Sequence, residues 1–276
     1  MKRIFRLLRS LRKIRWKLLL PRQANVLLYF VTGAEVINPY FAKHELEVLD
    51  LREKEVNISI ALLCLFDRDL SAQNYANRYI NIVKPKLILT FIDNFPPFFR
   101  LKSQFPNIRT ILIQNGIRSE HGDLFGSLPK NSELNDNHVD HMFVFGKAIG
   151  ETYGKFISGE VVSIGSFKNN LSPRKNSKSQ TIAYISTYRP EISEKFIVPD
   201  SAPGNPVSYQ AITARRERTI SFIAEYCKQH NRQFVIIGKS ENFDAEKRYY
   251  QNLLQNYSWK LEPRRTSMSS YEVLNE

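Results

Sequence analysis

"AQNYANRYINIVKPKLILTFIDN" (72–94) decides the fold. Residues 72–84 read as a helix. Pro85 then opens an apolar run that Asp93-Asn94 closes, a short buried strand. The same alternation extends in both directions. Upstream, "NVLLYFVTG" (25–33) is a strand that stops at a glycine, and "LEVLDL" (46–51) is a second. "NISIALLCLF" (57–66) fits a strand or a buried helix equally, because a short apolar run does not declare its period. Downstream, "IRTILIQNG" (108–116) and "VDHMFVFGK" (139–147) are strands, "AIGETYGKFI" (148–157) is a helix, and "EVVSIGS" (160–166) is a strand. Strands separated by helices of about ten residues or more pair in parallel through crossovers, which predicts a doubly wound sheet.

The composition then breaks. "FKNNLSPRKNSKSQ" (167–180) is polar and carries no periodic apolar residues, so it reads as a linker. The alternation restarts with strand "TIAYIST" (181–187), a helix near 210–230, strand "QFVIIGK" (233–239), helix "DAEKRYYQNLLQ" (244–255) and a short strand near Trp259. The expected organisation is a basic segment over 1–22, a Rossmann-like domain over 23–168, a linker over 169–180 and a second Rossmann-like domain over 181–276. The fold class is α/β with two Rossmann-like domains. The 98 residues from Ser179 to Glu276 supply two or three strands, fewer than an open α/β sheet takes to cover both faces. The closing "SMSSYEVLNE" reads as a helix with no glycine C-cap. The second domain is therefore expected to be truncated.

The charge is as uneven as the pattern. The net charge is +13, and Lys2, Arg3, Arg6, Arg9, Arg12, Lys13, Arg15, Lys17 and Arg22 precede the first acid, Glu35. Without those nine the remaining 254 residues carry 13 − 9 = +4. Ile4, Leu7, Leu8, Leu11, Ile14 and Leu18 recur at helical spacing between the cations, with Trp16 at the edge of the stripe. This predicts a basic amphipathic helix over residues 1–20 lying on an anionic membrane surface, each charge near the headgroups contributing about 1 kcal/mol. A helix packed on its own domain and an organelle-targeting peptide are the alternatives. No run approaches the roughly 20 apolar residues that span a bilayer. Nucleic acid is not an expected partner, since the rest of the chain lacks a basic stripe with interleaved aromatics. Cys64 and Cys227 read as buried thiols, and no Cys/His pair has zinc-ligand spacing, so neither a metal nor a cofactor is expected.

In open α/β sheets ligands bind at the carboxyl ends of the strands. There this sequence collects Glu35, Asp93, Gln114 and Asn115, then a loop with Arg118, His121 and Asp123. The second domain offers Ser186, Thr187, Tyr188 and Arg189 after its first strand and Lys239 after its second. Arginine, lysine and hydroxyls at strand ends suit phosphates, and His121 suits proton transfer. Each residue also has a plainer account. Asp93 caps a helix, Glu35 is surface charge, Gln-Asn-Gly is a tight turn, His121 is a solvated loop histidine, and Tyr188-Arg189 are ordinary loop residues.

The runs "VTGAEVINPYF", "QNGIRSEHGDLF", "IGSFKNN" and "ISTYRPE" resemble GT-B glycosyltransferases of bacterial surface-carbohydrate synthesis, in particular those related to the retaining β-Kdo transferases of capsule assembly. The resemblance covers residues 25–276. It implies transfer from a nucleotide-sugar donor, such as a CMP-linked ulosonic acid, to a polysaccharide or lipid-linked acceptor by an enzyme peripheral on the cytoplasmic face of the inner membrane. Carried onto this sequence, it implies Asp93 as nucleophile, Glu35 as acid/base and His121 near the reacting centre. Gln114, Asn115, Arg118 and Asp123 would then bind substrate, while Ser186, Thr187, Tyr188, Arg189 and Lys239 would hold the nucleotide. Much of the donor pocket in such enzymes comes from the later half of the second domain, so the chain alone is expected to show little transferase activity. The alternatives are a polyol-phosphate transferase or sugar epimerase on the same scaffold, and a non-catalytic membrane-peripheral remnant.

Overall fold

The computed structural model describes residues 15–51, 55–119, 123–128, 136–172, 180–188, 208–239, 243–266 and 268–274. The chain divides into two compact units, Met1–Phe167 and Lys168–Glu276.

In the first unit the elements run β1 (Arg15–Lys17), β2 (Val26–Tyr29), α1 (Ala34–Ile37), a 3-10 turn (Asn38–Tyr40), β3 (Leu46–Leu49), β4 (Glu55–Asn57) and α2 (Ile58–Phe66). There follow α3 (Ala72–Val83), β5 (Leu87–Thr90), α4 (Pro96–Phe99), α5 (Leu101–Gln104) and β6 (Arg109–Ile113). The unit closes with α6 (Leu124–Ser127), β7 (His138–Val144), α7 (Lys147–Gly154) and β8 (Ser158–Ser163). Six strands form one sheet in the order β3-β2-β5-β6-β7-β8, every pair parallel. Chain progression reverses between β2 and β5, so the crevice outside their carboxyl ends is the switch point of the sheet.

The decisive stretch folds as expected. Ser71 caps α3 by accepting from the Asn74 N–H at 3.1 Å, and Ala76, Tyr79, Ile80 and Val83 form its buried face. Lys84 takes a left-handed conformation that stops the helix before Pro85, and β5 then pairs on both sides. The core gathers Leu27, Tyr29, Leu49, Ile60, Ile80, Val83, Ile88, Phe98, Phe99 and Leu112.

The ambiguous run resolves to a helix over 58–66, one of its two readings, because the Asn57 side chain caps it by accepting from Ile60 N–H at 3.1 Å. Residues 15–17, expected to continue a helix, instead form β1 and pair in parallel with β4, Trp16 opposite Val56. A backbone hydrogen-bonded to β4 cannot close helical bonds on itself. Residues 1–14 of the expected helix lie outside the described residues.

The second unit holds α8 (Phe167–Leu171, which begins at the unit boundary), β9 (Thr181–Ile185), α9 (Tyr209–Gln229), β10 (Gln233–Ile237), α10 (Phe243–Leu253), β11 (Lys260–Glu262) and α11 (Ser269–Leu274). Residues 167–171, expected to be irregular, form the short α8. The sheet order is β11-β10-β9, again parallel. Ile220, Ala224 and Cys227 of α9 pack with Phe234 and Ile236 of β10 and with Tyr250 of α10 and Leu254 beyond it.

Candidate functional site

At the switch point of the first unit, the Thr90 hydroxyl donates to the Tyr29 carbonyl at 2.9 Å and accepts from Ile92 N–H at 3.0 Å. This ties the ends of β2 and β5 and turns the chain so that Asp93 faces inward. Asp93 is fully buried, at 0% exposure. Its Oδ2 accepts from Asn115 N–H (3.1 Å), Gly116 N–H (3.3 Å) and the Tyr153 hydroxyl (3.2 Å). Its Oδ1 accepts from Arg118 Nε at 3.0 Å and from Arg118 Nη2. A carboxylate offers about four lone-pair sites, so these donors occupy it completely. Burial, and then the adjacent Asp93 carboxylate, push the Tyr153 phenol upward, which keeps it a donor.

The rest of the loop is equally committed. Gln114 Nε2 donates to the Gly116 carbonyl at 2.8 Å, and its Oε1 accepts from Phe145 N–H at 2.7 Å, which pins the loop to the end of β7. Arg118 Nη1 stands 3.7 Å from Asp123 Oδ1, and Asp123 Oδ2 accepts from Ser119 N–H at 3.1 Å. The structure thus brings Asp93, Asn115 and Arg118 together, with Gln114 and Asp123 bracing the same turn. Asp93 was expected to attack, and in this geometry it organises a loop. Arg118 likewise binds a resident carboxylate.

Glu35 stands in the first turn of α1 and is exposed. Gly33 before it has φ +88, and a Cβ there would overlap the ring of Phe91, which follows β5. Phe91 in turn meets Phe167 edge-on at 5.7 Å. His121 lies outside the described residues.

In the second unit a buried carboxylate again governs the strand ends. Glu246 of α10 is 0% exposed. It accepts from the Ser186 hydroxyl and from Lys239 N–H at 3.1 and 3.2 Å. The Ser186 hydroxyl also lies 2.8 Å from that of Tyr250 and accepts from Tyr188 N–H at 3.2 Å. Ser186, expected on a nucleotide, is therefore 1% exposed and held by Glu246. The Lys239 backbone is held by the same carboxylate, while Arg189 lies outside the described residues. Glu246 escaped the sequence reading because "DAEKRYYQ" looks like a solvated helix face. The available signal was its position, on the stripe that Phe243, Tyr250 and Leu254 define.

Beside this clamp opens a shallow cleft, continuous with solvent, lined by Thr187, Tyr188, Tyr209, Thr213, Arg216, Ile220, Tyr249 and Tyr250. The Tyr188 and Tyr249 rings lie 5.0 Å apart at 33°, and Tyr249 and Tyr250 meet at 72°. The Tyr249 hydroxyl donates to Glu217 Oε1 at 2.9 Å, which fixes its ring. The Thr213 hydroxyl is buried and has no hydrogen-bond partner among the described residues. Arg216, like most of the described arginines, makes no ion pair with a described carboxylate, and it is the arginine that lines the cleft. Aromatic walls, an uncompensated guanidinium and an unmet hydroxyl can hold a planar ring bearing an anionic group. No group of three or more metal-ligating side chains occurs among the described residues.

Residues 111–276 match a family described as "putative O-antigen biosynthesis protein". No curated protein matches the sequence. Among solved structures, a chain of the glycosylation-associated protein (Gap123) complex from Streptococcus agalactiae aligns at 13% identity with a TM-score of 0.39. The alignment covers 83% of this chain and 45% of that one, so this chain spans about half the length of its solved neighbour.

Proposed function

Since this chain belongs to a family of O-antigen biosynthesis proteins, we propose that it serves surface-glycan assembly as a glycosyltransferase of GT-B type. Its donor is a nucleotide-activated sugar, such as a CMP-linked ulosonic acid, and its acceptor a polysaccharide or lipid-linked glycan. The observation that carries this reading is the tyrosine cleft of the second unit. A nucleobase stacks on the tyrosine rings, Arg216 meets a phosphate, and the Thr213 hydroxyl gains the partner it lacks. Acceptor recognition and chemistry fall to the first unit. There Glu35, exposed near the switch point, is the acid/base group. Asp93 is a positioning residue that shapes the 114–118 turn.

The occupied lone pairs of Asp93 favour a second reading, in which the chain binds donor or glycan without turning it over. One experiment separates the two. Calorimetry of the full chain with CMP, UDP and GDP tests the cleft, and a radiolabelled-donor assay tests turnover. Nucleotide binding that Arg216→Ala weakens about tenfold supports the cleft, one charge-assisted contact being worth roughly 1.5–3 kcal/mol. Transfer selects the first reading. A folded chain that binds no nucleotide at millimolar concentration overturns the first reading and the donor binding of the second.

A further inference from the structure

The first unit carries an apolar face that none of this chemistry uses. Leu62, Leu65 and Phe66 of α2 are exposed, Phe66 at 84%, and so is Leu70 just beyond the helix. Trp16, Leu18, Leu19 and Leu20 are also exposed, Leu19 at 84%. These two groups stand more than 40 residues apart in sequence, yet three contacts bring them to one place. β1 pairs with β4, Asn57 Nδ2 donates to the Leu19 carbonyl at 2.5 Å, and the Ser59 hydroxyl donates to the Leu18 carbonyl at 2.7 Å. Ser59, Leu62 and Phe66 follow one another at i, i+3 and i+7, so the side of α2 that holds Leu18 is the side that exposes Leu62 and Phe66. A contiguous patch of large apolar side chains on a soluble face marks a docking surface.

We infer that this face docks on an anionic lipid bilayer. The charge around it selects the occupant. The fourteen residues that lead into β1 hold six cations and no acid. At the patch itself Glu55 is paired with Lys17 and Asp67 with Arg78, while Arg68 and Asp69 follow at its edge and offset each other, so the patch carries no surplus of acid. A second copy of the chain carries the same net charge of +13 and brings no acidic complement to it, and a nucleic acid would have no use for exposed leucines and Phe66. A bilayer with anionic headgroups accepts both features, apolar side chains below the headgroups and cations among them. The attachment is interfacial, for no described helix is long and apolar enough to cross a membrane. The inference stands independently of nucleotide binding.

Trp16 supplies a native reporter within the patch, and Trp259 is the other tryptophan of the chain. The experiment uses the full chain carrying Trp259→Phe, mixed with phosphatidylcholine vesicles with or without phosphatidylglycerol. Co-sedimentation and a blue shift of Trp16 fluorescence are expected with the anionic vesicles. Brominated acyl chains should quench that emission. Leu65→Glu with Phe66→Glu changes only exposed positions, so its melting temperature should match the parent while its vesicle affinity falls at least about tenfold. Vesicle binding that the double substitution leaves intact overturns the inference. So does sedimentation showing a parent dimer that the substitution makes monomeric without change in lipid binding. Nucleotide affinity measured on the same variant should stay unchanged, so failure here is distinguishable from failure of the donor cleft.

Discussion

Arg118 and Asp93 form a buried ion pair: Nε lies 3.0 Å from Asp93 Oδ1, and Nη2 of the same fork closes on that oxygen. The partners are 18% and 0% exposed at the side chain. Removing one side of such a pair leaves an uncompensated charge, which costs far more than the intact pair contributes. Asp93→Asn should therefore lower stability by about 3 kcal/mol, and Arg118→Met by a similar amount. The double variant should lose much less than the sum, because the two act as one unit. Urea unfolding of the three variants measures this. A stable Asp93→Asn protein would show that the carboxylate charge is not what holds the 114–118 turn.

Gly33 has φ +88 and sits against the ring of Phe91 at the switch point. A side chain there meets two penalties, the left-handed backbone and the overlap with a buried ring. Gly33→Ala should destabilise by roughly 2–4 kcal/mol. Adding Phe91→Leu should recover part of the loss by making room, whereas the backbone share stays. Denaturation midpoints of the single and double variants separate the two contributions.

Asp140 gives the acid limb of the stability curve. Partial burial alone would raise its carboxyl, but hydrogen bonds from Lys102 and from the N–H and hydroxyl of Thr110 bring it down from 3.8 to about 2. A depressed folded value means stability that is present above the unfolded value near 4 and lost as pH falls toward 2. The contribution is on the order of 1–2 kcal/mol, allowing for solvent at its outer edge. Asp140→Asn should lower stability at pH 7 and flatten the decline between pH 4 and 2. Chemical denaturation at several pH values reads both effects.

Thr213 tests the cleft with opposite signs. Its hydroxyl is buried without a partner among the described residues, a condition that costs stability in the free protein. Thr213→Val keeps the shape, so it should leave the free chain as stable or up to about 1 kcal/mol more stable. The same change should weaken nucleotide binding about threefold to tenfold, the loss of one neutral hydrogen bond. Thermal unfolding and calorimetry report the pair of results. Unchanged affinity would remove Thr213 from the site.

Glu246 holds the Ser186 hydroxyl and the Lys239 N–H from inside the second unit. Glu246→Gln should destabilise that unit by about 1–3 kcal/mol, since an amide cannot accept at both oxygens. A shift in the Tyr188 environment should accompany it, because Tyr188 N–H donates to the Ser186 hydroxyl. Hydrogen exchange at residues 186–188 measures the loosening.

By itself the amino-acid sequence determined the alternation of strands and helices, the parallel α/β class, the position of the loops at strand ends and the concentration of charge in residues 1–22. These are local properties, set by the period of apolar side chains and by punctuation such as Lys84-Pro85, and local patterns survive in one dimension. Tertiary structure decided what depends on partners far along the chain. Asp93 is committed by donors 22 to 60 residues away, from Asn115 to Tyr153, so no spacing rule could tell a reacting carboxylate from one already occupied. The run 58–66 became a helix through the Asn57 cap, and residues 15–17 a strand, because β4 offered them an edge. The tyrosine cleft combines Tyr188, Thr213, Arg216 and Tyr249 from three segments of the second unit. The composition of a binding site is a property of convergence, and convergence is fixed only when the sheet and its helices have packed.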